Sequence, residues 1–258
     1  MTGSILAVAA LVVLIAFGAR WLVLMRRVQI PADVRPYLTG CAAAAVSGTA
    51  ALLLGPGLVG AVSAVGAIAG GVAFLALYAA SGQTPRNPAV AVGRPVLDFT
   101  ARDDAGNRFD LARLHGRPFL LKFFRGHWCP YCVAELRRWE EMRPELAARR
   151  IQIVTICADS AEQIRKGRGK HGLHAVMLPD PDLAITDLYN LRNPKNFAPR
   201  PGLIIPLPIP TTILVDASGI VRWIDQAADY MHRSDPERVL VAIRATLRSP
   251  VADLLAAG

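Results

Sequence analysis

Two cysteines separated by two residues are the side chains of this sequence best suited to chemistry. Cys129 and Cys132 stand in GHWCPYC, between the apolar run PFLLKFF and an amphipathic run that begins at Val133. Such a pair can bind a metal, exchange electrons with another thiol or reduce a peroxide. The apolar run predicts a strand and the amphipathic run a helix, so the pair falls where a strand passes into a helix.

A helix N-terminus favours redox chemistry at the first cysteine. Unpaired backbone N–H groups and the positive end of the helix dipole stabilise a thiolate there, so we expect a lowered pKa for Cys129. The thiolate is the nucleophile, and Cys132, one turn later, can attack a mixed disulfide and release the product. We therefore predict a redox-active disulfide in which Cys129 attacks and Cys132 resolves.

A zinc site would need further ligands at a familiar spacing, and the sequence does not supply them. His171 and His174 form an H-x-x-H pair, but it lies far from the cysteine pair. Cys41 falls in a predicted membrane span and is expected to be a packing residue. Cys157 ends a predicted central strand and is expected to be buried and inert. We expect no bound metal.

The residues around the pair suggest how its thiols could be tuned. Arg125 and His127 could lower a cysteine pKa, and Arg125 could hold an anionic substrate; the alternative is that they point into solvent. Trp128 directly precedes the pair and is a further candidate for substrate contact. Glu135 lies one turn beyond Cys132, where a solvated carboxylate is expected and proton transfer is the alternative.

The N-terminal third of the chain is nearly uncharged. The sequence has 258 residues and a mean hydropathy of +0.34, and only Asp33 of its 20 acidic residues precedes position 98. Three apolar runs, residues 3–25, 37–54 and 58–80, are each near the ~20 residues that a helix needs to cross a bilayer. We predict a multi-pass membrane region over residues 1–80, in contact with lipid. No basic residue precedes the first run, so a cleaved signal peptide is not expected.

The basic residues predict the orientation of this region. Arg26, Arg27 and Arg35 lie between the first two runs, which places that loop in the cytoplasm and the N-terminus outside. With three spans, the C-terminal domain is also cytoplasmic; one span more or fewer would place it on the periplasmic or extracytoplasmic side. The net charge of +9 arises from bases scattered among acids, so we expect a basic face beside an anionic membrane and no nucleic-acid partner.

The remaining sequence alternates strand-like and helix-like segments. Residues 81–94 form a linker, residues 95–248 a single domain and residues 249–258 a C-terminal tail. Strands are predicted over 118–124, 151–157, 211–216 and 219–225, and helices after the cysteine pair, from Ala161 with Ser160 as cap, over 183–189, and from Ser234 with Glu237 in a capping box. This order indicates an α/β sandwich.

The sequence then resembles a known family. Several stretches within roughly residues 95–248 resemble the alkyl hydroperoxide reductase/thiol-specific antioxidant superfamily. They are PVLDFTARDDAGNRFDLARLHGRPFLLKFFRGHWCPYC, IVTICADS, LPDPDLAITDLYNL and PIPTTILVDASGIVRW. The resemblance implies an α/β thioredoxin fold, no bound cofactor and an external thiol reductant, thioredoxin-like or glutathione. It also implies a cis-proline facing the active site, for which Pro210 is the candidate. Such a bond would bare backbone groups that a bound peptide or thiol could pair with.

The match departs from a peroxiredoxin at the site itself. In peroxiredoxins the peroxide-attacking cysteine follows a Thr or Ser by three positions; aligned so, Cys132 would attack and Cys129 would replace the hydroxyl residue. The upstream proline of that motif is replaced by Arg125, and its downstream arginine by Pro210. The thioredoxin pattern instead assigns attack to Cys129. CPYC is also the glutaredoxin tetrapeptide, although the elements of a glutaredoxin glutathione site are missing.

Together these features predict a membrane-anchored, thiol-dependent oxidoreductase that reduces peroxides or protein disulfides. Two alternatives remain. A redox-responsive membrane regulator would use the state of the dithiol to change how the spans pack or what they bind. A disulfide reductase of the cytochrome-maturation type would have no peroxidase activity and would require the domain to lie outside the cytoplasm.

Overall fold

The chain forms two compact units, Met1–Gly82 and Gln83–Gly258. The computed structural model describes residues 1–31, 33–83, 86–197, 204–229, 231, 233–234 and 236–247. The predicted C-terminal tail therefore lies outside the described residues, as does the stretch 198–203 of the proline-rich segment before Pro210.

The first unit consists of three long apolar helices, as predicted. They are α1 (Thr2–Arg27), α2 (Arg35–Leu53) and α3 (Leu58–Ala79), and each is long and apolar enough to cross a membrane. Small residues let the helices approach closely: a Cβ at Gly71 would lie 2.5 Å from the Cys41 carbonyl oxygen, and one at Gly48 would lie 2.9 Å from the Ala64 carbonyl oxygen. Close backbone contact of this kind is typical of helix packing in lipid.

The second unit is built around a five-stranded mixed sheet. The strands described in this unit, within and outside that sheet, are β1 (Thr100–Arg102), β2 (Arg108–Asp110), β3 (Phe119–Phe124), β4 (Gln152–Cys157), β5 (Val176–Pro179), β6 (Arg192–Phe197), β7 (Ile204–Pro208), β8 (Thr211–Val215) and β9 (Val221–Gln226). Its helices are a 3₁₀ turn (Leu111–Leu114), α4 (Pro130–Glu141), α5 (Arg143–Ala148), α6 (Ala161–His171), α7 (Ala184–Leu188) and α8 (Pro236–Thr246). The sheet order is β5-β4-β3-β8-β9.

Strand β3 lies at the centre of this sheet, parallel to β4 and antiparallel to β8. All six of its residues are buried, because helices cover both faces of the sheet. Leu121 and Phe123 join one core cluster, whereas Leu120 packs with Trp139 and Leu146 in the other. The C-terminal end of β3, where the cysteine pair begins, is therefore held from both faces. This is the thioredoxin-like α/β fold that the sequence predicts.

Of the two predicted helix starts with a serine cap, one is confirmed and one is wrong. Ser160 caps α6 as predicted, with a capping box in which its Oγ accepts from the Gln163 N–H and the Gln163 side chain accepts from the Ser160 N–H. The last helix begins at Pro236, not at Ser234. The Ser234 hydroxyl instead lies 2.9 Å from the Thr212 hydroxyl of β8, in a buried side-chain hydrogen bond.

Two short strand pairs stand outside the main sheet, and the sequence analysis above assigns no strands to them. β1 pairs with β2, and β6 pairs with β7 across an irregularity between Asn193 and Asn196. Strand β7 lies in the apolar, proline-rich stretch that precedes Thr211. In these stretches the alternation of strand and turn residues is too weak to predict the strands from the sequence alone, without knowledge of the strands they pair with.

Candidate active site

The cysteine pair occupies the junction of β3 and α4, as the sequence predicts. Cys129 is the N-cap of α4, and its carbonyl accepts the Val133 N–H at 3.1 Å. Cys132 lies in the first turn of the helix. Both thiols are free, and the two residues are only 1% and 0% exposed. The pair therefore lies within the protein rather than on its surface.

An arginine that sequence analysis missed contacts both sulfur atoms. The Nη2 group of Arg233 lies 3.2 Å from the Cys132 Sγ and 3.6 Å from the Cys129 Sγ. Arg233 comes from the segment between β9 and α8, and its side chain is only 2% exposed. Nothing in the local sequence indicated this contact, because about a hundred residues separate the arginine from the cysteines. Pairing of a buried guanidinium with a thiolate is electrostatically favourable.

The surroundings give the two thiols opposite pKa shifts. Burial raises the pKa of the Cys129 thiol well above its usual range, and its hydrogen bond to Cys132 adds to this rise. Burial also opposes ionisation of Cys132, but the Cys129 thiol, the Arg233 guanidinium and the Arg125 backbone N–H all stabilise its thiolate. They bring the pKa of Cys132 well below the usual thiol value. These directions differ from the lowered pKa expected at Cys129, because Arg233 lies closer to Cys132 and the Arg125 backbone N–H donates to Cys132.

A buried ion pair lies directly behind the cysteines. The Lys122 ammonium of β3 is 2.6 Å from one Glu135 oxygen, and the Arg233 Nε is 3.7 Å from the other. Lys122 also donates to the Thr212 hydroxyl at 3.0 Å. Burial raises the pKa of Glu135, against the opposing effect of Lys122 and Arg233. The expectation that Glu135 is solvated is wrong, since the residue is 0% exposed.

The side chains of Arg125, His127 and Trp128, which precede Cys129, are held against the domain rather than pointing into solvent. Arg125 is 2% exposed and its guanidinium lies over the Trp128 ring, 5.1 Å from the centroid. The backbone N–H of His127 donates to Asp159 at 2.6 Å, and its Nδ1 lies 3.0 Å from the same carboxylate oxygen. Asp159 therefore fixes the segment that leads into the dithiol.

Pro210 is not a cis-proline. No cis peptide bond occurs in the described parts of the chain, so the bond that precedes Pro210 is trans. The neighbouring backbone groups are already paired: the Pro210 carbonyl accepts the Ala227 N–H at 2.9 Å, and the Ile209 N–H donates to the Leu191 carbonyl at 2.8 Å. These groups are therefore not bared for a bound peptide or thiol.

Among the residues that the structure describes, one group of potential metal ligands lies near the dithiol. A ring nitrogen of His127, the Cys157 sulfur and an Asp159 oxygen lie within 4.8 Å of one another, and all three residues are buried. Asp159 already accepts two hydrogen bonds from His127, and burial raises the pKa of the Cys157 thiol well above its usual value. We therefore interpret this group as a structural His–Asp pair packed against Cys157, the thiol that the sequence analysis expects to be inert.

Comparison with known proteins gives one family match. The model of the AhpC/TSA family matches residues 92–224. The protein named thiol-disulfide oxidoreductase ResA from Geobacillus kaustophilus (strain HTA426) is 27% identical over 178 residues, which cover 66% of this chain and 92% of that protein. Peroxiredoxin Q, chloroplastic, from Oryza sativa subsp. japonica is 22% identical over 149 residues, 58% of this chain and 63% of that protein.

Solved structures share the fold of the second unit. Peroxidoxin BcpB from Mycobacterium tuberculosis superposes with a TM-score of 0.53 at 21% identity, over 62% of this chain and 99% of that chain. AhpC from Enterococcus faecalis gives a TM-score of 0.51 at 13% identity, over 60% and 92% of the two chains. At these identities the likeness concerns the fold, which is the thioredoxin-like arrangement described above.

Proposed function

Because the chain belongs to the AhpC/TSA family and is a thiol-dependent oxidoreductase, we propose that Cys129 and Cys132 are its redox-active pair and that they reduce small hydroperoxides. One observation carries the choice of substrate. The sulfur with the lowered pKa, Cys132, is buried and lies within 3.2 Å of a guanidinium that can also donate to a peroxide oxygen. Both sulfurs are almost inaccessible, which favours a small substrate over a folded protein disulfide.

The first half of the reaction oxidises Cys132. Its thiolate attacks the terminal oxygen of the hydroperoxide, the O–O bond breaks, and an S–OH group forms. The departing alkoxide takes a proton from the Cys129 thiol, which is hydrogen-bonded to Cys132. Arg233 stabilises negative charge as it moves from sulfur to oxygen, which is the kind of fixed electrostatic support that lowers a barrier.

The second half closes the disulfide. The Cys129 thiolate attacks the sulfur of the Cys132 sulfenic acid, hydroxide leaves, and solvent supplies the proton that makes it water. The pair is then a disulfide that an external thiol must reduce. Cys129 here takes both the hydrogen-bonding position of the family's hydroxyl residue and the role of resolving thiol. We propose an external thiol, thioredoxin-like or glutathione, as reductant and no bound cofactor.

Reduction of protein disulfides is a second candidate function. Its support is the position of Cys129 at the N-cap of α4 and the likeness to a protein named as a thiol-disulfide oxidoreductase. Here the dithiol would donate its two electrons to a disulfide substrate, and a conformational change would have to expose Cys129. The trans geometry before Pro210 and its paired backbone groups do not favour strand-like binding of a peptide.

Turnover measurements separate these functions. Purified full-length protein in non-ionic detergent is supplied with dithiothreitol and either hydrogen peroxide or insulin. We expect peroxide consumption that is abolished in Cys132→Ser, and a single oxidation without efficient turnover in Cys129→Ser. Insulin reduction that requires Cys129, with negligible peroxide consumption, would contradict the proposal and support the second function. A single stoichiometric oxidation of the wild type, without turnover, would instead support a regulator.

We further propose that the three helices anchor the protein as a multi-pass membrane protein with the redoxin domain in the cytoplasm. The helices have the length and hydropathy of membrane spans, and the basic residues between the first two give the orientation. In this arrangement the unit from Gln83 onward would meet cytosolic thiols and the peroxides that reach the inner surface of the membrane.

A further inference from the structure

Two arginines and two apolar residues share one face at the C-terminal end of α1. Arg20 is followed by Val23 and Leu24 at three and four positions and by Arg27 at seven, which is the spacing of one helix face. Together with Gln29 these residues line a cavity of about 450 Å³. Pockets for small ligands usually have volumes of ~300–1,000 Å³. A lining with two cations and an apolar stretch between them suits an amphipathic anion, which has a negative group and a hydrocarbon part.

The position of Arg20 within the helix makes its charge costly. The 26 residues of α1 give a length of about 39 Å, whereas the hydrocarbon core of a bilayer is ~30 Å thick. Arg27 ends the helix, and Arg20 lies about 10 Å before it along the helix axis. In a spanning helix Arg27 then reaches the headgroups, while Arg20 begins at the boundary of the hydrocarbon. A charged side chain at that depth needs a partner or must extend to the interface.

The first unit supplies no counter-ion for these two arginines. Asp33 is the only acidic residue before position 98, so its side chain is the only carboxylate of the unit. That carboxylate is engaged by Arg35: its Oδ1 accepts the Arg35 N–H at 2.9 Å and lies 3.9 Å from the Arg35 Nε. Within the described residues, neither Arg20 nor Arg27 forms an ion pair. An anion that balances their charge therefore comes from outside the unit.

A buried tyrosine of α2 holds the guanidinium of Arg20. The Arg20 Nε donates to the Tyr37 hydroxyl at 3.1 Å, and Tyr37 is only 6% exposed. The tyrosine ring packs edge-on against Phe17 at 5.9 Å and lies 4.8 Å from Trp21, centroid to centroid. The two helices meet closely here, since a Cβ at Gly40 would lie 2.7 Å from the Phe17 Cζ. The Nη groups of Arg20 form no hydrogen bond within the described residues, so an oriented pair of donors is left for a ligand.

We propose that this cavity binds the phosphate group of an anionic phospholipid. Arg20 and Arg27 bind the phosphate oxygens, for which guanidinium has a matching donor geometry, and Val23 and Leu24 contact the first part of an acyl chain. A net negative headgroup is favoured over a zwitterionic one because the lining holds no carboxylate for the lipid's own cation. Basic pockets beside membrane helices are known to select anionic headgroups. The site is separate from the dithiol and does not depend on the reaction proposed for it.

A tryptophan beside the cavity reports which lipid occupies it. Trp21 directly follows Arg20 and is the only tryptophan of the first unit, since Trp128, Trp139 and Trp223 belong to the second. Full-length protein is placed in phosphatidylcholine nanodiscs that contain a fixed minor fraction of phosphatidylglycerol or phosphatidylcholine brominated near the headgroup end of its acyl chains. The Trp21→Phe protein gives the background from the other tryptophans. We expect brominated phosphatidylglycerol to quench Trp21 more strongly than brominated phosphatidylcholine does at the same fraction.

Two double variants with the same loss of charge separate a site from general attraction. Arg20→Gln/Arg27→Gln should lower the preference for the anionic lipid at least about fivefold, which is roughly what one arginine contributes near an anionic surface. Arg26→Gln/Arg35→Gln removes two charges from outside the cavity and should retain most of the preference. Tyr37→Phe keeps every charge and the aromatic packing but loses the hydrogen bond to Arg20, so it should reduce the preference by a smaller factor.

Three results would overturn the proposed lipid site. Equal quenching of wild-type Trp21 by the two brominated lipids would show that the cavity does not select an anionic headgroup. Equal losses in the two double variants would show that only the net charge of this end of the unit matters. Inorganic phosphate, added at constant ionic strength, should leave the preference unchanged; if it abolished the preference, the ligand would be a soluble phosphate and not a lipid.

Discussion

The two active-site sulfurs differ in charge although only two residues separate them. Arg233 is closer to Cys132 than to Cys129, and the Arg125 backbone N–H adds a further donor to Cys132 alone. The sequence indicated the helix terminus as the main influence, and the structure adds direct hydrogen bonds to Cys132 and the burial of both thiols. We propose on this basis a division of roles in which Cys132 carries the negative charge and Cys129 the proton.

Replacing Arg233 by glutamine should raise the pKa of Cys132. The arginine lowers that pKa both by its charge and by its hydrogen bond, so its loss leaves less thiolate at a given pH. The pH profile for peroxide consumption should therefore move to higher pH, with the largest fall in rate on the acid side and a smaller deficit that persists at alkaline pH, where the support of the transition state is still missing. Single-turnover oxidation measured across pH checks this, with Arg222→Gln at the exposed Asp216 ion pair as control. An unshifted profile would contradict the role of Arg233.

The Lys122–Glu135 pair should contribute to stability only as a pair. Both side chains are at most 1% exposed, so removal of one partner leaves a buried charge with less compensation. Glu135→Gln or Lys122→Met should each lower the free energy of unfolding by about 3–5 kcal/mol, and the double variant by clearly less than the sum. Denaturation of the full chain in detergent, followed by tryptophan fluorescence, measures this. Additive losses would contradict a direct coupling.

At the scale of elements, periodicity identified the strands and helices that carry the dithiol. PFLLKFF became β3 and IQIVTIC became β4, because uninterrupted apolar runs of strand length belong to buried central strands. The burial of Glu135 was missed although the pattern contained it: the residue lies three positions from Cys132 and four from Trp139, on the same face of α4. A carboxylate on an apolar stripe signals a buried partner, and Lys122 within the apolar run of β3 was the matching signal.

The contacts that complete the site could not be predicted from local sequence. Arg233 reaches Cys132 across 101 residues, from a segment without helical or strand periodicity. The backbone around Pro210 is likewise set by its tertiary partners, Leu191 and Ala227, rather than by the motif PTTILVD. The resemblance placed a cis-proline where the pairing of β8 and its neighbours holds a trans bond.

Two glycines of α6 offer a matched test of how this helix packs. Gly167→Ala should destabilise the domain by about 1–3 kcal/mol, because the new methyl group would overlap the His127 ring. Gly169→Ala should instead be neutral or stabilising by up to about 1 kcal/mol, since its position is open and alanine is the better helix former. Thermal unfolding of the two variants gives the comparison. Equal melting temperatures would show that α6 does not press on His127.

At the scale of the whole molecule, the proposed orientation depends on a few arginines. The three helices have the length and hydropathy of membrane spans, whereas orientation is a matter of charge bias between the loops. A C-terminal tag should be protected from protease in intact cells and become accessible when the membrane is permeabilised. Arg26→Glu/Arg27→Glu/Arg35→Glu should increase the fraction with the opposite orientation. Accessibility of the wild-type tag in intact cells would place the redoxin domain outside.

The central claim is that the reduced pair carries its charge on Cys132, and a thiolate titration tests it most directly. Ultraviolet thiolate absorbance of the full-length protein is followed against pH for the wild type, Cys129→Ser and Cys132→Ser. We predict a thiolate that forms well below the usual thiol pKa in the wild type, persists in Cys129→Ser, whose hydroxyl can still donate a hydrogen bond to the Cys132 sulfur, and is absent in Cys132→Ser. A low-pKa thiolate that survives in Cys132→Ser and disappears in Cys129→Ser would contradict the account and return the role of nucleophile to Cys129.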